Sequence, residues 1–145
     1  MGPKLWRYGA LVAVLCLAIA ATAVGARRVP SFVYRGTTAQ VNPDNGKKFA
    51  ITFTLKGRTV SNVKTLTRDV CPDGSHLRVT QNAFKSVKLD RKGRFVLRAG
   101  PRTQPAVLKG RIIGKKASGT LSDRSQDPAG SGLCKANTTW SAKRR

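Results

Sequence analysis

The chain has 145 residues, of which 28 are lysine or arginine and six are acidic, so its formal net charge is +22. All six acids are aspartate, which leaves out the glutamate that most often serves as a general acid with a raised pKa. A single histidine argues against zinc centres built on several imidazoles. The strongly basic balance is typical of proteins that contact polyanions.

The N-terminus has the composition of a secretory signal peptide. Lys4 and Arg7 precede an apolar run at residues 10–24, which is shorter than the roughly 20 residues of a membrane span, and small residues follow the run. We predict cleavage after Ala26, with Ala23 as the alternative site. An uncleaved membrane anchor is the other interpretation, because basic residues come directly after the run. The chain is therefore expected to be secreted or extracytoplasmic.

The predicted signal peptide, residues 1–26, leaves a predicted mature chain at residues 27–145. Two basic residues are removed with the signal, so 26 basic residues face six aspartates and the formal net charge becomes +20. A chain of this length forms one domain with a single core. We also expect the mature protein to be a monomer.

Apolar and polar residues alternate with a period of two throughout the mature region, which predicts β-strands and no helix. The first candidate strand is "SFVYRGTTAQ", and Asn45-Gly46 predicts a hairpin turn that leads into "KFAITFTLKG". In this second strand one face carries only apolar side chains, namely Phe49, Ile51, Phe53 and Leu55. The later candidates are "RTVSNVKTLTRDVC", "HLRVTQ", "KSVKLD", "GRFVLRAG", "AVLKGRIIG", "KASGTLSDR" and "LCKANTTWSAKRR".

This spacing of short strands predicts a single all-β domain, either an antiparallel β-sandwich or a small β-barrel of about eight strands. The two architectures cannot be distinguished from the alternation. We expect the last four residues, "AKRR", to fray. The aspartates all stand beside turn-forming or charged residues. We expect Asp69 and Asp73 at a strand end and in a turn.

The segment "DVCPDGSH", Asp69 to His76, collects residue types that are common in active sites. Once the signal is removed only Cys71 and Cys134 remain, and two cysteines in an exported chain predict one disulfide. The long loop that this bridge closes corresponds to roughly 4 kcal/mol in the chain-entropy model. A disulfide sulfur is neither a nucleophile nor a metal ligand. We therefore interpret the segment as a stapled turn with Pro72 and Gly74 at its corner.

Catalytic and metal-binding alternatives have little support in the sequence. A serine triad would need His76 together with a distant serine such as Ser118 or Ser125, and neither has the surroundings of a nucleophile elbow. Calcium would find only Asp44 and Asn42 close together. A pair of carboxylates for glycoside cleavage would have to come from two separate turns. We expect no catalytic residue, no metal and no cofactor.

The densest basic stretch is "RKGRFVLRAGPR", which contains five cations: Arg91, Lys92, Arg94, Arg98 and Arg102. In a strand, Arg94 and Arg98 share a face with Val96, so this set predicts a basic ridge for anionic cell-envelope polymers or a membrane surface. A merely solubilising surface is the competing interpretation. The aromatic residues stand at core positions, so we do not expect specific nucleic-acid recognition, which usually adds exposed aromatic side chains.

The order of "GTTAQ", "FAITFTLKGR", "CPDG", "GRF", the final cysteine and "TWSAKRR" resembles that of uncharacterised small exported β domains of bacteria, of the actinobacterial type. The resemblance covers nearly all of the mature chain. It implies the same β fold and one disulfide, and it implies no activity. We therefore predict a non-catalytic, envelope-associated or polyanion-binding module. The alternative is a barrel that carries a small hydrophobic ligand.

Overall fold

The computed structural model describes residues 28–81, 83–130 and 132–145, and these form nine β-strands without any helix. The predicted signal peptide and both predicted cleavage sites lie outside these residues. No helix with the length and hydropathy of a membrane span occurs in the described part. The strands are β1 (Ser31–Val41), β2 (Lys48–Lys56), β3 (Thr59–Val70), β4 (His76–Gln81), β5 (Val87–Lys88), β6 (Arg94–Ala99), β7 (Ala106–Ile113), β8 (Lys116–Gln126) and β9 (Leu133–Arg144).

The strands form one antiparallel sheet with the order β4-β3-β2-β1-β9-β8-β7-β6, and β5 pairs with β3. The sheet curls until β3 also reaches β9, where Val70 pairs with Lys135. This contact closes a small barrel, and the remaining strands extend the same sheet. The predicted all-β fold is confirmed, and the barrel is the observed alternative.

One end of the barrel interior is aromatic. The four apolar residues of β2 are buried, as the alternation predicts. The Phe53 ring stacks on Tyr34 with centroids 4.9 Å apart and meets the edge of Trp140 at 5.8 Å. Close-packed aromatic rings contribute more than their buried area alone. The four aromatic residues assigned to the core from the sequence are all buried: Phe49, Phe53, Phe95 and Trp140.

Two glycines make room for this cluster. Gly110 on β7 and Gly119 on β8 stand opposite each other, with Phe95 on one side and Trp140 on the other in the same cross-strand row. A Cβ at Gly110 would lie 2.5 Å from the indole of Trp140 and 2.6 Å from the ring of Phe95. The rings therefore cover the glycine backbone, and the indole Nε1 donates to the carbonyl of Lys109 at 3.2 Å.

The other end of the interior is polar. Asp69 on β3 and Asp123 on β8 are buried there, with 0% and 3% of their surface exposed. Asp69 lies at the end of β3, as predicted, but the turn-forming and charged residues beside the two aspartates do not indicate that both carboxyl groups are buried. The physical reason is the alternation itself: Asp69 shares its strand face with buried Thr65 and Thr67, and Asp123 shares its face with buried Leu121.

The C-terminal residues are also ordered differently from the prediction. The expectation that "AKRR" frays is wrong for Ala142, Lys143 and Arg144, which belong to β9 and pair with β1 and β8. Even the amide of Arg145 donates to the carbonyl of Val33 at 3.0 Å. Pairing with a strand on each side holds the chain end in the sheet.

The contact of the rings with Gly110 predicts that Gly110→Ala is strongly destabilising. The added methyl group must displace Trp140 or Phe95, and overpacking of this kind costs about 1–3 kcal/mol. Ser118→Ala is the control on the neighbouring strand: its side chain is exposed, so we expect a change within about 0.5 kcal/mol. Urea unfolding followed by tryptophan fluorescence measures both. Equal stability of the two variants would contradict this packing.

Candidate functional site

"DVCPDGSH" forms a stapled turn, as predicted. Cys71 is joined to Cys134 by a disulfide across 63 residues. The turn closes with the amide of Gly74 donating to the carbonyl of Cys71 at 2.9 Å, and Gly74 has φ +83°. Asp73 Oδ1 accepts the amide of Ser75 at 2.8 Å, and hydrogen bonds from Ser75 lower the pKa of Asp73. The segment therefore contains no free thiol.

The remaining candidates around this turn do not assemble into a catalytic centre. His76 is exposed at the start of β4, opposite Val70. Ser125, the distant serine considered for a triad, donates its hydroxyl to Asp69 at 2.6 Å. The carboxylate of Asp127 lies within 4.8 Å of the disulfide sulfurs. Because these sulfurs are bonded to each other, they offer no thiolate to a metal.

The five cations predicted from the sequence between Arg91 and Arg102, which we call the β6 basic set, are spread along β6 and the turns at its two ends. Arg94 pairs with Asp90 at 2.7 Å, and Asp90 also accepts the amides of Lys92 and Arg94. The amide and side chain of Arg94 lower the pKa of Asp90. Arg98 stands four residues, about 13 Å, further along β6, and Arg102 lies in the next turn. Their assignment to a polyanion site stays a prediction.

A denser group of cations lines a groove of about 720 Å³ on the outer face of the barrel, over β1, β9, β8 and β7. Three of them lie directly opposite one another on neighbouring strands: Lys116 pairs with Lys143, and Lys143 pairs with Arg35. We call these three residues the cation row. Arg111 and Arg145 bring the outward cations around the groove to five; Arg144 also lines it, but its side chain shares the inner face with Tyr34, and the lining includes no aspartate.

A second row runs parallel to the first, two residues along the same strands. Ser118, Ser141 and Thr37 lie opposite one another on β8, β9 and β1, and all three are exposed. Arg111 on β7 extends this hydroxyl row on one side. Two residues along a strand correspond to roughly 7 Å, so hydroxyl and cationic groups face the same space. Both groups are donors to anionic oxygens.

The backbone beneath the groove is tightly packed. A Cβ at Gly36 of β1 would lie 1.8 Å from the carbonyl oxygen of Ser141. At the end of the groove the guanidinium of Arg144 lies 4.2 Å from the centre of the Phe32 ring, a cation–π contact that positions it. The groove is therefore built on a close contact of the first and last strands.

The charges of the cation row are not neutralised by carboxylates of the described residues. The two ion pairs in that part of the chain are Arg78–Asp44 and Arg94–Asp90. Like charges placed directly opposite each other on neighbouring strands are destabilising. The row therefore lowers the stability of the domain, and an anionic partner would remove this repulsion.

Comparison of the chain with protein-family models, with curated proteins and with solved structures found no match. The likeness to small exported bacterial β domains therefore stays an expectation.

Sequence reasoning missed the cation row because its members belong to separate segments. Lys143 lies in the stretch expected to fray, Arg35 has no basic neighbour in the sequence, and Lys116 belongs to the short turn pair Lys115-Lys116. One signal was available: each alternates with a residue that is buried in the structure, namely Tyr34, Ala117 and Ala142. Alternation could predict that they point outward, but it could not predict that their strands are neighbours.

The disulfide predicts a measurable stabilisation. The mature protein, unreduced and unfolded, should contain no free thiol, and replacing both Cys71 and Cys134 by serine should lower the free energy of unfolding by about 4 kcal/mol. Thiol titration and urea unfolding measure the two quantities. Exposed Ser75→Ala, in the same turn, is the control for a local change. Two titratable thiols in the unreduced protein would contradict the bridge.

The repulsion within the cation row predicts that Lys143→Gln stabilises the free protein. This change removes the charge that is repelled by Arg35 and Lys116. We expect the free energy of unfolding to increase by about 0.2–1 kcal/mol at low salt, and the increase to shrink as salt is added. Lys109→Gln is the matched control, because the cross-strand neighbours of Lys109 are Val96 and Thr120. Urea unfolding at two salt concentrations provides the comparison. A loss of stability in Lys143→Gln alone would show that the row is not repulsive.

Proposed function

We propose that this chain is an exported, non-catalytic module that binds linear acidic polymers in the cationic groove. The observation that carries the proposal is the cation row, with Lys116, Lys143 and Arg35 side by side and without carboxylate partners among the described residues. Opposed cations elsewhere on the sheet come in pairs, such as Arg68 with Arg78 and Arg124 with Lys135, whereas the cation row runs across three neighbouring strands.

The dimensions of the groove suit a polymer with closely spaced charges. Neighbouring strands lie about 4.8 Å apart, so the three members of the cation row span roughly 10 Å across the sheet. A chain running across the strands would meet one cation per strand. The hydroxyl row of Ser118, Ser141 and Thr37 would donate to the same ligand or to its sugar oxygens.

Recognition in this groove would depend on charge and not on stacking. Phe53, Phe95 and Trp140 are buried within the barrel, where they cannot stack on bases. Affinity should therefore follow the charge density of the polymer and should fall steeply with salt. Specific recognition of a nucleic-acid sequence forms no part of the proposal.

Two features support an extracytoplasmic location. Disulfides persist mainly in oxidising compartments, and the Cys71–Cys134 bridge is of this kind. The first 26 residues have the composition of a signal peptide. An acidic polymer of the cell envelope is therefore the class of partner that we propose.

The carrier hypothesis lacks a supporting observation. The aromatic cluster of Tyr34, Phe53, Phe95 and Trp140 occupies the interior space that a carrier would give to its ligand. The groove lies outside the barrel, and its cations would not favour a neutral hydrophobic molecule.

The decisive variant neutralises the cation row: Arg35→Gln, Lys116→Gln and Lys143→Gln together. Heparin, a linear sulfated polysaccharide, is the probe, and binding is measured by calorimetry over a series of salt concentrations. We expect the affinity to fall at least about tenfold, and the slope of log K against log salt to decrease by about two to three, because three ionic contacts are lost.

Two further variants make the result specific. Lys47→Gln, Lys56→Gln and Lys85→Gln together remove the same charge from exposed positions outside the groove, and the affinity should fall much less. Neutralising the β6 basic set tests the site predicted from the sequence. If that variant loses binding while the cation-row variant retains it, the groove is the wrong site. Anionic vesicles and a thymidine oligonucleotide serve as comparison probes.

A further inference from the structure

The buried polar end of the barrel contains two carboxyl groups that face each other from strands that are not neighbours in the sheet. Asp123 Oδ2 on β8 accepts the hydroxyl of Thr67 on β3 at 3.2 Å and the side-chain amide of Gln81 on β4. Asp69 Oδ2 on β3 accepts the hydroxyl of Ser125 on β8 at 2.6 Å. These side chains link β3 to β8 through the interior.

No cationic side chain of the described residues bonds to either carboxyl group. The cations of the surrounding strands stand on the opposite face or at the surface: His76 and Arg78 on β4, Arg124 on β8 and Lys135 on β9 are exposed, and Arg68 on β3 is partly exposed, with its Nε buried and without a partner. The other acids near this end, Asp73 and Asp127, lie in turns. Two buried negative charges without a cation are strongly unfavourable, so the pair needs a proton.

One oxygen of the pair indicates where such a proton is held. Asp123 Oδ1 accepts the amide of Arg124 at 2.9 Å, whereas Asp69 Oδ1 is buried and has no hydrogen-bond partner. A protonated Asp123 would donate to Asp69 and satisfy its carboxylate. The three remaining carboxyl oxygens of the pair already accept N–H or O–H donors, which leave little room for a metal ion.

We propose that Asp123 holds a proton and donates it to the unpartnered oxygen of Asp69, forming a pH-sensitive latch that holds β3 to β8 and loosens this end of the barrel when Asp123 ionises. The latch lies beside the seam of the barrel, where Val70 pairs with Lys135 and Cys71 is bonded to Cys134. The disulfide limits how far β3 can move from β9.

The direction of the pH dependence follows from the titration of the pair. Burial, and then the negative charge of Asp69, raise the pKa of Asp123 from 3.8 to about 6. Between these pH values the folded protein binds a proton that the unfolded chain has released. The stabilisation is therefore complete below pH 3.8 and is lost as the pH rises through about 6.

The first test compares unfolding of the wild-type protein with that of Asp123→Asn between pH 4 and pH 7.5. An asparagine can donate to Asp69 at every pH, so the variant should lack the latch's pH dependence. We expect the unfolding constant of the wild-type protein to rise by up to about 100-fold relative to that of the variant across this range. The turn residues Asp73 and Asp90, whose pKa values are lowered, affect both proteins equally.

The second test measures loosening of the seam in the folded protein. Cys134 is fully buried, so reduction of its disulfide by a water-soluble phosphine reports opening of this end. At each pH this rate is divided by the rate at which the same phosphine reduces a small disulfide compound, which removes the pH dependence of the reagent. It should increase between pH 5 and pH 7.5 in the wild-type protein and in the exposed control Asp44→Asn, and it should stay constant in Asp123→Asn.

Three results would overturn the latch. Identical pH profiles of unfolding in the wild-type protein and in Asp123→Asn would show that Asp123 does not hold a proton in the folded protein. Loss of the pH dependence in Asp44→Asn would show that it comes from a group other than Asp123. Stabilisation of the wild-type protein by added calcium at pH 7.5, absent in Asp123→Asn, would show that a cation occupies the pair. If Asp123→Asn does not fold, Asp69→Asn and the profile of the wild-type protein provide the same test.

Discussion

Closure of the sheet between β3 and β9 is the constraint on which the rest of the structure depends. An open sheet in the order of this chain would leave the aromatic residues of its inner face in contact with water. The Val70–Lys135 pair and the Cys71–Cys134 bridge bring β3 back over the far side of the barrel, so that one curved sheet encloses its own core. The hydrogen bonds between β3 and β8 reinforce the same seam from inside.

The closed core also fixes the outer surface. A strand that slips by one residue turns every side chain to the opposite face, so the buried residues of β1, β8 and β9 determine which residues point outward. Trp140 opposite Gly119 sets the register of β8 with β9, and this register places Lys116 opposite Lys143. The cation row therefore cannot relax by sliding its strands, because relief of the repulsion would expose the aromatic cluster.

Local patterns in the sequence predict the strands and turns well. Alternation locates the buried face of β2, and Asn45-Gly46 marks its hairpin, where Gly46 has φ +66°. The candidate site is less predictable because it depends on strand neighbours. Pairing of β1 with β9 joins the two ends of the described chain, and nothing in the local sequence encodes that contact. The inward direction of Asp69 was predictable from Thr65 and Thr67, but the turn residues beside it favoured a different interpretation.

The few acids explain why so much positive charge is left without partners. Four aspartates lie in turns and bond to backbone amides or to a nearby arginine: Asp44, Asp73, Asp90 and Asp127. Asp69 and Asp123 are buried within the barrel. Each acid thus has a structural task, and none of them faces the groove. Because no aspartate lines the groove, its positive electrostatic field extends into the solvent. An acidic polymer would be attracted by this field.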